Sequence, residues 1–348
     1  MKRSSQMSES RHTWARAFTL IEIVVTISVA AILVGLLSPA VQRAREAARR
    51  GACATKLRAL GVSLQVYHDT FNCLPLGWTN AKAQDATSLW HSDKSVYFYL
   101  LPMLEQANLA DEFNIARPVV ASENRTTLMR PNGAFACPSD AEASQIETVR
   151  GPGSEQFECY GSSYSFCAGR FPAGLHPSAL GGKPAPPILI ATNDGCFFDL
   201  SPIRFKDVHD GLSQTMFMAE QSATLRRRYS TALTGPSVYA PAASWVFCGN
   251  STFIAGVPPV DDQEGSNLGW LRDAASSMHD GRLAVLFGDG SVRWVSKHLS
   301  SWPVDEGGRP IGAQTDPTWG VYVRYPASGV WQAIATRSGN ETVDNHEL

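Results

Sequence analysis

Several chemistries have no foothold in this chain of 348 residues. Its seven cysteines, 53, 73, 137, 159, 167, 196 and 248, include no Cys-x-x-Cys pair. That spacing argues against a structural zinc site and against a thioredoxin-like motif. No GxSxG, HExxH, phosphate-loop, dinucleotide-binding glycine pattern or EF-hand loop stands out. Charge of one sign is not in excess: 30 Lys plus Arg meet 32 Asp plus Glu, for a net charge of −2. This balance excludes a strongly basic nucleic-acid binder and an acidic disordered chain. No repeat of fixed period is found, so a solenoid is not indicated. What the chain does hold is 44% hydrophobic residues, enough for a core, and 28 Gly with 21 Pro. Such a content favours many turns and short strands over a helical bundle.

The near-neutral total conceals an asymmetry in the first sixty residues. Residues 1–17 carry Lys2, Arg3, Arg11 and Arg16 against Glu9. Twenty residues from Phe18 to Leu37 then hold a single charge, Glu22. About twenty apolar residues suffice to cross a bilayer as a helix. Beyond Pro39, residues 43–58 bring six cations against Glu46. Helix formers continue, and Leu57, Leu60, Leu64 and Tyr67 recur on one face of an amphipathic helix. The spacing predicts one helix of roughly 80 Å from Phe18 to about Thr70, with a kink at Pro39.

An ionisable group inside a span costs about 2.5–3.5 kcal/mol and calls for a partner or a function. A cut between Ala17 and Phe18 would put Glu22 one helical turn from a new α-ammonium. The two charges would satisfy each other most simply between neighbouring subunits, which would set the register of one helix against the next. Two other readings of residues 1–40 stand beside this one. One is a secretory signal peptide cut after Ala40; the other is a plain signal anchor.

From residue 75 onward the pattern predicts a mixed head. Residues 95–113 read as a short strand or buried turn followed by a helix. Segments 185–198, 203–208 and 214–219 read as strands, and 150–187 and 255–268 as Gly/Pro-rich loops. RLAVLF (282–287), Gly288-Asp289-Gly290 and SVRWV (291–295) predict a β-hairpin. A last helix is expected near 330–337. His209-Asp210-Gly211 and His279-Asp280-Gly281 could suggest a hydrolytic metal site, but Asp-Gly is a favoured turn pair and turn chemistry is the simpler account. The hairpin could also bring His279 and Asp289 together as a local structural pair.

Arg16-Ala17-Phe18-Thr19-Leu20-Ile21-Glu22 and the apolar helix after it resemble the prepilin cleavage and methylation signature of type IV pilins and type II secretion pseudopilins. Here Ala17 stands where that family prefers Gly. Further blocks are AVQRAREAARRGACATKLRALGVSLQVYHDTFNCLPLG, LLPMLEQ, FACPSD and VHDGLSQTMFMAEQ. In that order they resemble the bacterial prepilin-like family called domain of unknown function 1559. His279, nine residues and then Asp289-Gly290 match its H-X9-DG motif.

The resemblance implies cleavage before Phe18, N-methylation of Phe18, Glu22 as the carboxylate that registers subunits, and a helix proline at Pro39. It also implies cysteines at 53 and 137, where a bridge from stem to head would suit an oxidising compartment; buried reduced thiols are the competing reading. The fold expected is α+β: a long N-terminal pilin-like helix, half in the membrane and half amphipathic, packed on a β-rich globular head. The domains expected are a basic leader (1–17), a transmembrane and stem helix (18–74) and an extracytoplasmic head (75–348).

The resemblance implies topology, processing and localisation but no molecular activity; the function expected is that of a pilin-like or pseudopilin-like structural subunit. A prepilin peptidase/methylase, other pilin-like subunits and inner-membrane lipids would be its partners, and a type IV pilus or type II secretion-like filament its assembly. It would be a single-pass protein of the bacterial inner membrane or cell surface with a cytoplasmic N-terminus. No catalytic residue, metal, cofactor or nucleic-acid partner is expected. The alternative is a membrane-anchored extracytoplasmic binding protein that uses the helix only as an anchor. One rule points the other way: the flank after the span is more basic than the leader, and the positive-inside rule alone would put the head in the cytoplasm.

Overall fold

The structure, a computed structural model, describes residues 19–77, 94–117, 119, 121–150, 156–170, 194–197, 202–226, 245, 253–254, 256–259, 274–305, 309–316, 322–341 and 343. The chain divides into two compact units, residues 1–48 and 49–348. Helix α1 (Leu20–Phe71) is continuous and contains the boundary. This division falls within the helix, because Cys53, Leu57, Leu60 and Leu64 are core residues of the second unit.

In the first unit, α1 starts with a reciprocal cap. The Glu22 N–H donates to Thr19 Oγ1 (3.3 Å), while the Thr19 N–H donates to Glu22 Oε2 (2.8 Å). Two donors of the first turn are thereby satisfied within the chain. The hydroxyls of Thr26 and Ser28 donate to the carbonyls of Glu22 and Val24, four residues back. Every large apolar side chain from Leu20 to Val41 is exposed, Leu20 at 81% and Leu36 at 71%. This stretch is long and apolar enough to cross a membrane. Pro39 lies inside the helix, which runs through it.

In the second unit, α1 buries Cys53, Ala54, Leu57, Leu60, Gly61, Ser63 and Leu64, a stripe at helical spacing. Asn72 ends the helix at φ 57°, donating its N–H to the His68 carbonyl (2.6 Å); Asn tolerates this left-handed cap. A chain of short helices follows: α2 (Val96–Leu100), a 3-10 turn (Leu101–Leu104), α3 (Ala107–Asp111) and α4 (Arg125–Leu128). The aromatic run at 95–100 is thus helical and not a strand. Its rings are taken up by a buried cluster in which Tyr97 meets Phe135 and Phe166, and Phe98 meets Phe113, so packing overrides the β preference of Tyr and Phe.

Strands β1 (Ile146–Arg150) and β2 (Gln156–Tyr160) form an antiparallel pair. The central sheet adds β3 (Tyr164–Cys167), β4 (Met216–Glu220), β5 (Phe253–Ile254), β6 (Arg282–Phe287) and β7 (Val292–Ser296), in the order β5-β3-β4-β6-β7. Its β3–β5 pair is parallel and the others are antiparallel. Strands β2 and β3 lie in a stretch that reads as a Gly/Pro-rich loop. At 203–208 the strand reading fails: the backbone forms a 3-10 turn, Phe205–Asp207, closed by Arg204 and Asp207. Most of 185–198 lies outside the described residues. The small pair β8 (Gln314–Thr315) and β9 (Tyr322–Arg324) and the helix α5 (Val330–Ala335) complete the described elements.

The sheet has two dry faces. Ala284 and Leu286 of β6 join a core with Leu57, Leu60 and Leu64 of α1. Leu283, Val285 and Phe287 face the opposite way and pack with Trp331 and Ile334 of α5. Alternation of this kind follows from the strand period of two. In β4 the register against β6 shifts between Met216 and Met218. Met216 and Ala219 consequently sit in the α5-side core, while Phe217 and Met218 sit in the α1-side core. The bulge resets the alternation so that Glu220, two residues on, falls on the α1 side.

Candidate functional site

Four positions distant in sequence meet at the end of β4. Cys53 comes from α1, Cys137 from the loop before β1, Glu220 from the last residue of β4, and His279 from the loop before β6. All four are buried, and one ligand atom from each lies within 4.8 Å of the others. Cys53 and Cys137 form a disulfide that closes a sequence separation of 84 residues. By chain entropy such a closure is worth about 4.5 kcal/mol.

His279 Nε2 sits 3.4 Å from each sulfur and 3.5 Å from Glu220 Oε1. The imidazole ring stands edge-on to Trp294, with centroids 5.2 Å apart. The Ala284 N–H donates to the other Glu220 oxygen, Oε2 (2.9 Å). Glu220 Oε1 has no hydrogen-bond partner among the described residues, although Glu220 is only 2% exposed. Tyr164 donates its hydroxyl to the Cys53 carbonyl (3.2 Å). Burial pushes the Tyr164 phenol up, and the Glu220 carboxylate adds to the shift.

A second buried carboxylate holds the Cys137 loop. Asp140 accepts from the Ser163 hydroxyl (2.8 Å), the Ser222 hydroxyl (3.2 Å), the Ala223 N–H (2.7 Å), and the Thr224 N–H and hydroxyl (3.1 and 2.7 Å). Ser163 Oγ in turn accepts from the Cys137 N–H (2.9 Å). Asp140 thus ties the Cys-Pro-Ser-Asp run to Ser163, just before β3, and to the segment after β4. From α1, Lys56 donates to the Ala136 carbonyl (2.7 Å); burial pulls its ammonium down.

The remaining sequence-derived positions behave differently. Ala17 and Phe18 lie outside the described residues. Glu22 caps its own helix. His279 and Asp289 do not pair: β6 separates them, and exposed Asp289 instead accepts from the Ser291 N–H (2.8 Å). Gly290, at φ 84°, lies where a Cβ would come within 2.8 Å of Gln65 on α1, so the turn and the helix approach closely there. His209-Asp210-Gly211 is a turn. Asp210 accepts from Thr336, Gly339 and Asn340, and Gly211 takes φ 90°.

The residues around the disulfide lie within a recognisable family. Residues 42–300 match the family model described as Protein of unknown function (DUF1559). The chain belongs to the DUF1559 family. The match takes in Cys53, Cys137, Glu220 and His279, and begins just after the apolar part of α1. Comparison with curated proteins and with solved structures finds no match. DUF1559 membership and a long apolar N-terminal helix fit a membrane-anchored extracytoplasmic protein.

Sequence reading missed Glu220 as a member of the cluster. Its one signal was a charged residue at the end of the apolar run Met216-Phe217-Met218-Ala219, where an acid should not be buried without a partner. The Thr19-x-x-Glu22 capping pattern was also legible and was passed over.

Proposed function

We propose that this chain is a pilin-like or pseudopilin-like subunit. It is cut before Phe18, methylated there, held in the inner membrane by the first half of α1, and assembled through that helix into a filament. The observation that carries the reading is the uncovered apolar surface from Leu20 to Val41. Each such side chain is worth about 1.5–3 kcal/mol on leaving water. Lipid covers the surface before assembly, and like helices cover it afterwards. The head is extracytoplasmic and takes no catalytic part.

One observation favours an anchor that does not assemble. Glu22 is already bonded to Thr19 of its own chain, so it does not require a neighbour's ammonium. A photo-crosslinker at Val29 separates the two readings. Assembly produces a ladder of helix-to-helix products that Glu22→Ala removes while the monomer stays in the membrane. A monomer alone in both chains contradicts assembly and leaves the anchored binding protein.

A further inference from the structure

A cystine by itself calls for neither an imidazole nor a carboxylate. Both stand against this one, and Glu220 Oε1 is buried, aimed at His279 Nε2 and without a hydrogen-bond partner among the described residues. A buried ionised carboxylate requires a cation or a set of donors. We propose that Cys53, Cys137, Glu220 and His279 form a redox-gated metal site. As a dithiol, the two cysteines join His279 and Glu220 in holding one zinc-like divalent ion; as the disulfide, they release it.

The spacing fits a tetrahedral ion. With zinc–sulfur bonds of about 2.3 Å and zinc–nitrogen or zinc–oxygen bonds of about 2.0–2.1 Å, neighbouring S and N ligands lie about 3.5 Å apart, and N and O about 3.3 Å. His279 Nε2 already lies 3.4 Å from each sulfur and 3.5 Å from Glu220 Oε1. The large change needed is for the two sulfurs to part to about 3.8 Å. Two thiolates, an imidazole and a carboxylate suit zinc or cobalt, not magnesium or calcium.

The surrounding bonds hold the ligands from outside. Ala284 fixes Glu220, Tyr164 bonds the backbone of Cys53, and Asp140 secures the Cys137 loop, as outer partners do in metal sites. The absence of Cys-x-x-Cys does not oppose this, because the four ligands come from four separate elements.

The chemistry balances. A dithiol reductant gives two electrons and two protons to the Cys53–Cys137 bond and becomes a disulfide itself. Binding of the ion then displaces the two thiol protons to water. In the reverse direction a protein disulfide takes two electrons from the two thiolates, becomes a dithiol with two protons from water, and the ion departs. The cysteines would thereby fasten the second half of α1 to the head in a reducing and in an oxidising environment alike.

The test uses the full chain in detergent, reduced with a non-chelating phosphine and titrated with cobalt(II). One cobalt per reduced chain is expected, with thiolate-to-cobalt charge-transfer absorption and the visible bands of a tetrahedral ion; the oxidised chain should take none. His279→Ala and Glu220→Gln should each weaken binding by more than about 100-fold, since losing an outer partner alone costs about 10–100-fold. A reduced chain that keeps its circular dichroism yet binds no cobalt overturns the proposal. So does equal binding by the oxidised chain or by both variants. If the reduced chain unfolds, it is refolded with and without cobalt. Recovery only with cobalt supports the site, and failure in both overturns it.

Discussion

The two halves of α1 are helical for different reasons. From Leu20 to Ala48 the large apolar residues are exposed on every side and the described contacts are local: the Thr19–Glu22 cap and hydroxyls bonded one turn back. From Arg49 to Phe71 only a stripe is buried, yet it is tied down by the disulfide, the Lys56 bond and a core shared with β6. The large apolar side chains of the first half are left exposed. The second half has its partner in the same molecule. A uniformly apolar helix needs an apolar solvent, whereas a striped helix needs one complementary face.

Breaking the disulfide should do the most to make the second half resemble the first. Cys53→Ala with Cys137→Ala is expected to lower the stability of the head by about 4.5 kcal/mol, the loop-closure value, read from denaturant unfolding of the detergent-extracted chain. A charge in the first half should leave that unfolding unchanged and act on the membrane instead. Val29→Arg is expected to cost about 3 kcal/mol of insertion, seen as a shift from the membrane to the soluble fraction.

The two glycines of the second half sharpen the contrast on a finer scale. A Cβ at Gly61 would come within 2.7 Å of Leu286 Cδ1, whereas one at Gly51 meets nothing within 4 Å. Gly61→Val should therefore destabilise the head by about 2 kcal/mol through overpacking. Gly51→Ala should stabilise it by about 0.8–1 kcal/mol through helix propensity alone. Thermal unfolding monitored at the helix band distinguishes the two signs.

How much of this was readable in advance followed the range of the forces. The long helix, its Leu57-Leu60-Leu64 stripe, the hairpin around Asp289 and the helix at Val330–Ala335 all declare themselves by local period or turn chemistry. Strand β3 does not: Tyr164–Cys167 is four residues in a turn-rich stretch, and its pairing with β4 and β5 is a property of the sheet. The helical fold of 96–100 depends on an aromatic cluster drawn from Phe113, Phe135 and Phe166. The resemblance pointed to a bridge between Cys53 and Cys137, which the structure contains, but the approach of His279 to that bridge was not legible. Glu220 reaches them only because a bulge in β4 turns it towards α1, and no local pattern announces that bulge.

The mass of the N-terminal peptide of the membrane-extracted protein tests most directly whether the first half of α1 is a processed pilin-type helix that stays with the chain. The expected peptide begins at Phe18 and is heavier by one N-methyl group. A peptide beginning at Val41 would show that the apolar half is discarded, and an intact Met1 would show that it is an unprocessed anchor; either result contradicts the pilin-type reading.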